Sequence, residues 1–300
     1  MIEAVNVSKS FDDIKAVDNI TINIKEGEVF GLIGTNGAGK STFLRMLAGV
    51  LKSDSGSIMV DGIPVFENTI SKNKLFYISD EQFFFQSATA EDMKEFYRNI
   101  YNDYDVKRYY EMLEKFGLDK KRKISTFSKG MKKQLSIIIG ICARTKYLLC
   151  DETFDGLDPV MRQAIKSIFA AEMVDRDFTP VIASHNLREL EDICDYVGLL
   201  HRGGVVLSKE LSDIKDNIHK VQCVLREGED SARCFEGLEI INIETRGSLY
   251  TLTARGNRED ILGRINESNP LFAEALPLSL EEIFISETGG VGYDIKSIIF

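Results

Sequence analysis

A glycine-rich segment between a short apolar run and a helical pattern constrains the fold of this chain more than any other feature. The segment Gly34-Thr35-Asn36-Gly37-Ala38-Gly39-Lys40-Ser41 follows the apolar run Val29–Ile33 and leads into a predicted helix, Lys40–Leu51. Glycines let backbone N–H groups curl around phosphate oxygens, and a helix N-terminus adds a positive dipole end. The order strand, glycine loop, helix therefore predicts a phosphate-binding site in an α/β fold.

The side chains in and after this loop suit a nucleoside triphosphate bound together with Mg²⁺. Lys40 offers a positive charge to the β- and γ-phosphates, and the hydroxyl of Ser41 offers a ligand to Mg²⁺. The loop backbone supplies further hydrogen-bond donors. The expected nucleotide-binding residues are Gly34, Thr35, Asn36, Gly37, Ala38, Gly39, Lys40, Ser41 and Thr42.

Two adjacent acids follow a second apolar run further along the chain. Asp151 and Glu152 come directly after Tyr147–Cys150, which is typical of a central parallel strand. The glycine-rich segment Gly34–Ser41 fits the P-loop pattern. A carboxylate at the C-terminal end of a strand beside a P-loop can hold Mg²⁺, a role that we assign to Asp151. Glu152 is then placed to orient and polarise an attacking water. Strands often end in an acid, so this pattern indicates a nucleotide site only because the P-loop precedes it in the chain.

Composition indicates a cytoplasmic protein without a membrane span of its own. The net charge of −10 at pH 7 does not favour non-specific binding to nucleic acid. The first residues lack the basic and apolar regions of a signal peptide, and no apolar run reaches the roughly 18 residues of a membrane helix. The five cysteines are odd in number and lack metal-ligand spacing, which is typical of a reducing compartment.

Three further segments follow the P-loop in a fixed order and complete a family pattern. They are Phe127-Ser128-Lys129-Gly130-Met131, Gly156-Leu157-Asp158-Pro159 and Ala183-Ser184-His185-Asn186. With the P-loop and the paired acids, they resemble the ATP-binding cassette of ABC transporters over residues 1–215. The first segment departs from the family's LSGGQ signature at Lys129 and Met131. It resembles instead the SKGM variant of bacterial drug-resistance and lantibiotic exporters.

The resemblance implies an α/β P-loop NTPase cassette over residues 1–215. Its parts are a RecA-like core, an antiparallel β subdomain and an α-helical subdomain near residues 88–145. Past Lys215 the composition changes, and a βαββαβ order predicts a small α+β ferredoxin-like domain over residues 216–300. The predicted elements are Val221–Arg226, Asp230–Phe235, Leu238–Thr245, Ser248–Ala254, Arg258–Glu267 and Leu271–Leu276, with a short helix at Leu280–Ile285.

The residues of the signature segment, Phe127–Met131, also predict a local structure that could bind an anion. Ser128 can cap the N-terminus of the following helix, and Gly130 permits close approach, so this helix end is a potential anion site. In the family it faces the γ-phosphate that the opposite subunit binds. The resemblance therefore implies that Ser128 and Gly130, together with Asp158 of the D-loop, contact nucleotide in a head-to-tail dimer.

The resemblance assigns two further nucleotide contacts. His185 occupies the position of the family's switch histidine, which senses the γ-phosphate, and with Lys40 and Glu152 it completes the expected catalytic group. Imidazole suits this role because one ring nitrogen can face phosphate while a neighbour holds the other. Phe11 lies where the family places an aromatic ring against adenine, and stacking needs only a flat π surface.

The residue that serves the family's Q-loop is left open by the sequence. The usual glutamine is replaced by Asp80, and Gln82 follows two positions later. An acid can still bind Mg²⁺ or its water, so Asp80 joins Ser41 and Asp151 as an expected metal ligand.

Two surface features follow from the residues around these motifs. Three consecutive phenylalanines, Phe83-Phe84-Phe85, cannot all face inward on one element, so at least one should be exposed and mark a binding surface. The basic residues Lys120–Lys123, Lys129, Lys132 and Lys133 are expected to form a solvated face rather than a nucleic-acid site. Lys129 is the exception, because its place in the signature puts it near the partner's γ-phosphate.

The leading interpretation is an ATP-hydrolysing subunit that uses ATP and Mg²⁺ to drive a separate integral membrane permease. It would act as a homodimer or a heterodimer with a second ABC ATPase, in the cytoplasm and peripheral to the inner face of the cell membrane. Export is favoured by the SKGM-like signature and the added C-terminal domain. The alternative is a soluble ABC-type ATPase acting on nucleic acid or ribosomes. The single cassette and the acidic charge argue against that alternative.

Overall fold

The chain divides into two compact units, Met1–Ser208 and the residues from Lys209 onward. The computed structural model describes residues 1–226 and 231–289. Composition predicted the boundary near Lys215, but the short helix that begins at Leu211 contacts the first strand of the second unit. Within the described residues, no helix is both long enough and apolar enough to cross a membrane.

The first unit contains two sheets with one shared core. A six-stranded sheet has the order β10-β9-β3-β8-β7-β6, and a four-stranded antiparallel sheet has the order β2-β1-β4-β5. The strands are β1 (Ile2–Phe11), β2 (Ile14–Ile24), β3 (Phe30–Ile33), β4 (Ser55–Val60), β5 (Ile63–Pro64), β6 (Leu75–Ile78), β7 (Tyr147–Asp151), β8 (Thr179–Ser184), β9 (Tyr196–His201) and β10 (Gly204–Glu210). The helices are α1 (Lys40–Leu47), α2 (Thr69–Lys72), α3 (Ala90–Arg98), α4 (Val106–Lys115), α5 (Lys129–Cys142), α6 (Pro159–Asp175) and α7 (Leu187–Glu191).

Helix α1 joins the two sheets of this unit. Its buried residues Phe43, Leu44, Met46 and Leu47 belong to the same core cluster as residues of β1, β3, β7 and β8. The helix ends earlier than the predicted Leu51, because Gly49 adopts a φ of +64°, which closes the last turn. The central strands β3, β7 and β8 are buried at every position, as expected for parallel strands covered on both faces.

The predicted helical subdomain near residues 88–145 contains α3, α4, a 3₁₀ turn at Ile124–Thr126 and α5. Side-chain caps fix where its helices begin. Thr89 forms a reciprocal capping box with Asp92 at α3, Asp105 caps α4, and Ser128 caps α5. The start of the signature helix is therefore set by the serine of the signature itself.

The second unit begins with α8 (Leu211–Asn217) and contains an antiparallel sheet of order β12-β13-β11-β14. Residues of α9 and α10 share an apolar core with this sheet. The predicted helix start at Asp230 and the predicted domain limit at Phe300 lie outside the described residues, and the ferredoxin-like assignment stays a prediction. The elements after α8 are β11 (Ile218–Val224), α9 (Ser231–Cys234), β12 (Glu239–Arg246), β13 (Leu249–Arg255), α10 (Arg258–Asn266), β14 (Phe272–Leu276) and α11 (Leu280–Gly289).

All five cysteines are free thiols inside the two units. Cys142, Cys150, Cys194, Cys223 and Cys234 are each buried. Burial raises the pKa of Cys150 to about 12 and that of Cys223 to about 11. These side chains therefore act as small apolar core residues.

Gly56 and Gly62 provide a matched pair for testing how closely β4 packs on β1. Their φ angles are +77° and +76°. A Cβ at Gly56 would lie 2.3 Å from the carbonyl oxygen of Asn6, whereas a Cβ at Gly62 meets nothing within 4 Å. Gly62→Ala should lower the free energy of unfolding by about 1 kcal/mol through backbone strain alone. Gly56→Ala should lower it by a further ~2 kcal/mol, because backbone atoms must move apart.

Urea denaturation followed by circular dichroism measures both values. Equal losses in the two variants would show that β1 moves aside at little cost.

Candidate functional site

The site is built where three neighbouring strands of the large sheet end. Strands β3, β8 and β7 are adjacent and parallel, with Ile33 paired to Ser184 and Ala183 paired to Asp151. Because parallel strands end at the same edge of a sheet, the residues that follow them converge there. The functional side chains delivered in this way are Lys40 after β3, His185 after β8 and Glu152 after β7.

The Lys40 ammonium group is hydrogen-bonded to backbone carbonyl oxygens of the glycine loop. Lys40 is buried, and its Nζ donates to the carbonyl oxygens of Gly34 at 2.7 Å and Thr35 at 3.3 Å. Gly39 has a φ of +101°, and a Cβ there would lie 2.2 Å from the Ala16 carbonyl oxygen. Only glycine fits at this position, which explains why the loop can curve tightly into the N-terminus of α1.

A buried carboxylate connects β7 to the P-loop. Asp151 accepts hydrogen bonds from the Ser41 hydroxyl and the Tyr77 hydroxyl, each at 3.0 Å. Burial raises the pKa of Asp151 above its ordinary value, and the bonds from Ser41 and Tyr77 oppose that shift. Burial, together with the nearby charge of Asp151, raises the pKa of Tyr77, which therefore stays a hydrogen-bond donor.

The oxygen donors of this group fit a magnesium ion. Ser41 and Asp151 present a hydroxyl and a carboxyl group side by side, 3.0 Å apart. Mg²⁺ prefers such oxygens and takes its other ligands from water and phosphate. Within residues 1–226 and 231–289, no group of three or more His, Cys, Asp and Glu side chains could form an all-protein metal site.

Glu152 links the lysine of the P-loop to the histidine after β8. Its Oε1 lies 3.3 Å from Lys40 Nζ, and its Oε2 lies 2.8 Å from His185 Nδ1. A carboxylate only accepts hydrogen bonds, so Nδ1 of His185 carries a proton and Nε2 is the nitrogen left to face phosphate. Glu152 itself has a φ of +48°, a left-handed conformation that is uncommon outside glycine.

Hydrogen bonds to the buried carboxylate of Glu189 hold the loop that carries His185. Glu189 accepts hydrogen bonds from Asn186 at 3.0 Å and from Ser184 at 3.4 Å, and pairs with Arg162 at 3.0 Å. Burial raises the pKa of Glu189, while the arginine charge opposes the shift. These contacts hold both neighbours of His185 in place.

A cleft of about 510 Å³ lies around these groups. Its lining includes Thr35–Thr42, Glu152 and His185, together with Asp80, Lys129 and Asp155. Gln82, by contrast, folds back on its own loop and donates to the carbonyl oxygens of Ser79 and Asp80. Of the two Q-loop candidates, Asp80 is therefore the one that faces the cleft.

Five of the expected nucleotide contacts, Phe11, Gly34, Ser128, Gly130 and Asp158, lie outside the lining of this cleft. Phe11 is 46% exposed at the end of β1, beside the hairpin residues that line the cleft. Ser128 caps α5 by accepting a hydrogen bond from Met131 N–H, and Asp158 caps α6 in the same way through Met161 N–H. Gly130 lies at the start of α5.

The structure corrects one interpretation of the basic residues. Lys133 was expected on a solvated face, but it is 0% exposed, and its Nζ donates to the Glu152 carbonyl oxygen at 2.5 Å. Burial lowers the pKa of Lys133, and the carboxylates of Asp155 and Asp80 oppose the shift. The available signal was helical spacing, since Lys133 shares one face of α5 with the buried residues Ile137 and Gly140.

Tyr77 was also missed at the sequence level. It lies within an apolar strand, where a phenolic hydroxyl gives no indication of its partner.

The comparisons with known proteins point to one family. Residues 17–155 match the family model described as ABC transporter. The ABC transporter ATP-binding protein YtrB of Bacillus subtilis (strain 168) is 30% identical over 290 residues, which cover 97% of this chain and 99% of YtrB. The bacitracin transport ATP-binding protein BcrA of Bacillus licheniformis is 32% identical over 206 residues, covering 68% of this chain and 67% of BcrA.

Solved structures show the same fold. A structure described as the ATP-binding subunit of an ABC transporter aligns with a TM-score of 0.66 at 25% identity, covering 72% of this chain and 92% of that chain. The dimeric structure of MJ0796, a bacterial ABC transporter cassette, aligns with a TM-score of 0.65 at 23% identity, covering 70% of this chain and 99% of that chain. The predicted cassette fold is confirmed. The P-loop, Glu152 and the histidine meet in one cleft of that fold, and with these similarities the chain belongs to the ABC transporter family as an ATP-binding subunit that hydrolyses ATP.

Proposed function

We propose that this protein hydrolyses ATP with Mg²⁺ in a head-to-tail dimer and thereby drives export through a separate membrane permease. The contacts of Glu152 with Lys40 and His185 carry the proposal, because they place a carboxylate beside the phosphate-binding lysine and the γ-phosphate-facing imidazole. It would work in the cytoplasm, bound peripherally at the inner face of the membrane.

Each side chain of the cleft has a distinct role in the proposed reaction. Lys40 binds the β- and γ-phosphates and stabilises the negative charge that develops on them during transfer. Mg²⁺, held through Ser41 and Asp151 with Asp80 at the cleft wall, would neutralise phosphate charge. Glu152 accepts a hydrogen bond from the attacking water and aligns it with the γ-phosphate. His185 presents Nε2 to the same phosphate while Glu152 fixes its ring.

The proposed dimer is supported by expected nucleotide contacts that do not line the cleft of their own chain. Ser128 and Gly130 lie at the start of α5 and Asp158 lies at the start of α6; none of the three lines the cleft of its own chain, although Lys129 between the first two does. A helix N-terminus with free N–H groups favours a phosphate. In a head-to-tail dimer these residues would close the partner's site. Whether the partner is a second copy or a different ABC ATPase is left open.

Export is supported by the signature and by the relatives. The segment Ser128-Lys129-Gly130-Met131 resembles the exporter variant. The names of relatives refer to bacitracin transport, linearmycin resistance and lantibiotic transport. All three describe the handling of antimicrobial compounds, and we propose a transported compound of that broad class.

An exposed aromatic surface offers a place for the permease to bind. Phe83 is 74% and Phe85 45% exposed, which confirms that the phenylalanine run cannot bury all its rings. Phe85 packs edge-to-face on Phe83 at 5.7 Å and on Phe96 of α3 at 5.0 Å between ring centroids. We name Phe83, Phe85 and Phe96 the aromatic surface. A short amphipathic helix of the permease could dock on such rings.

The first prediction tests Glu152. Glu152→Gln keeps the shape of the side chain but weakens its hold on water, so kcat should fall on the order of 10²- to 10⁴-fold while ATP binding survives. The variant should also retain an ATP-bound dimer, seen as a doubled mass in size-exclusion chromatography with ATP. Hydrolysis near the wild-type rate would refute the role of Glu152.

The second prediction tests the dimeric site. Ser128→Arg places a bulky side chain where the partner's nucleotide should bind, so ATPase activity should fall while the monomer binds ATP normally. Ser125→Arg, in the adjoining 3₁₀ turn, is the matched control and should stay active. Wild-type activity should rise faster than linearly with protein concentration at low concentration. A strictly proportional rate from a demonstrated monomer would contradict the dimer.

The third prediction tests the aromatic surface. Phe85→Ala and Phe83→Ala should each weaken binding to the permease by about 2 kcal/mol, since truncating an aromatic anchor removes a major contact. Basal ATPase activity should persist, because these rings lie outside the cleft lining. Val174→Ala, at a position that is 91% exposed on α6, is the control. Full retention of binding by the double variant in a pull-down would place the docking surface elsewhere.

A further inference from the structure

A buried lysine lies behind the catalytic glutamate, on the helix that begins with the signature. The Lys133 side chain is 0% exposed, although an isolated ammonium group is costly to remove from water. Its Nζ donates to the Glu152 carbonyl oxygen at 2.5 Å. The same atom lies 3.8 Å from Asp80 Oδ1 and 3.9 Å from Asp155 Oδ2. The ammonium group therefore contacts one backbone carbonyl and two carboxylates, and both carboxylates belong to residues that line the cleft.

The contact matters because of the conformation of Glu152. A φ of +48° is unfavourable for a residue with a side chain, and such conformations persist only where neighbours fix them. Here the Glu152 N–H donates to the Ala183 carbonyl oxygen at 2.9 Å, and the Glu152 carbonyl accepts from Lys133. The main chain is held on both sides of Cα, and the side chain is thereby directed at Lys40 and His185.

We propose that Lys133 is a positioning residue for ATP hydrolysis, which holds the Glu152 peptide in its left-handed conformation and so keeps the carboxylate aligned with Lys40 and His185. The inference rests on the proposed role of Glu152. Lys133 follows Ser128 by little more than one helical turn in α5, so a single rigid helix carries both the signature serine and the hydrogen bond to Glu152.

Thermal stability distinguishes a positioning role of Lys133 from a purely structural one. If Lys133 only supported the fold, its replacement would lower Tm together with kcat. Met has an unbranched side chain of similar length, so Lys133→Met fills the same space without the charge or the donor. Lys133→Met removes the desolvation penalty of the ammonium group but leaves the Glu152 carbonyl oxygen without this donor, while Asp80 and Asp155, each about half exposed, stay solvated, so Tm should change little. A positioning role then predicts a fall in kcat without a matching fall in Tm.

The experiment measures steady-state ATP hydrolysis by the full-length protein, with ATP binding and Tm for each variant. Lys133→Met should lower kcat on the order of 10- to 100-fold, because small displacements of an aligned catalytic group are that costly. KM for ATP should stay within about twofold, since Lys133 does not line the nucleotide cleft. Lys133→Gln keeps an N–H donor and should hydrolyse ATP several-fold faster than Lys133→Met.

Lys132→Met, one position earlier on the same helix, is the matched control and should match wild type. Combining Lys133→Met with Glu152→Gln should reduce kcat no further than Glu152→Gln alone, since both act through one carboxylate. Wild-type kcat in Lys133→Met would overturn the inference, as would a loss of kcat that tracks a loss of Tm and ATP binding. Equal rates for the Gln and Met variants would overturn it too.

The two proposals fail in distinguishable ways. Normal hydrolysis by Glu152→Gln would reject the role of Glu152 itself. An inactive Glu152→Gln together with a fully active Lys133→Met would reject only the role of Lys133.

Discussion

The parallel hydrogen-bonded ladder of β3, β8 and β7 is the interaction on which the site depends. A different functional residue follows each strand, and these residues are far apart in sequence: Lys40 after β3, His185 after β8 and Glu152 after β7. Pairing of Ile33 with Ser184 and of Ala183 with Asp151 brings them level at one edge. A slip of one residue in either pair would turn the terminal side chains to the opposite face. The register of these three strands is therefore a condition for catalysis.

The sequence was sufficient for contacts made by neighbouring residues and insufficient for contacts that cross the fold. The P-loop, the acids after β7 and the helix cap at Ser128 could be predicted, because spacing along the chain determines their local geometry. For Lys133, helical spacing indicates the buried face but not the contact with Glu152, because that partner lies on a distant segment. The same holds for Tyr77, whose hydrogen bond to Asp151 depends on the pairing of β6 with β7.

Two features at the end of β7 are unfavourable for the stability of the folded protein. Asp151 is a carboxylate held away from water, and Glu152 next to it occupies a left-handed conformation. Each destabilises the folded protein by itself, and neither would persist in an ordinary loop. They are retained because rigid neighbours determine their positions: β8 through the Ala183 carbonyl, α1 through Ser41 and α5 through Lys133. A site built in this way is preorganised at the expense of local stability.

The burial of every cysteine has a practical consequence for following the motions of this ATPase. A thiol reacts as the thiolate, and a buried thiol with a raised pKa is both shielded and protonated near neutral pH. Maleimide dyes and nitroxide spin labels should therefore leave the native residues untouched. A single cysteine introduced on an exposed helix position can then carry a probe without prior removal of the native thiols. Distances between two such probes, one in each subunit of the proposed dimer, would report its opening and closing during turnover with the native core residues kept.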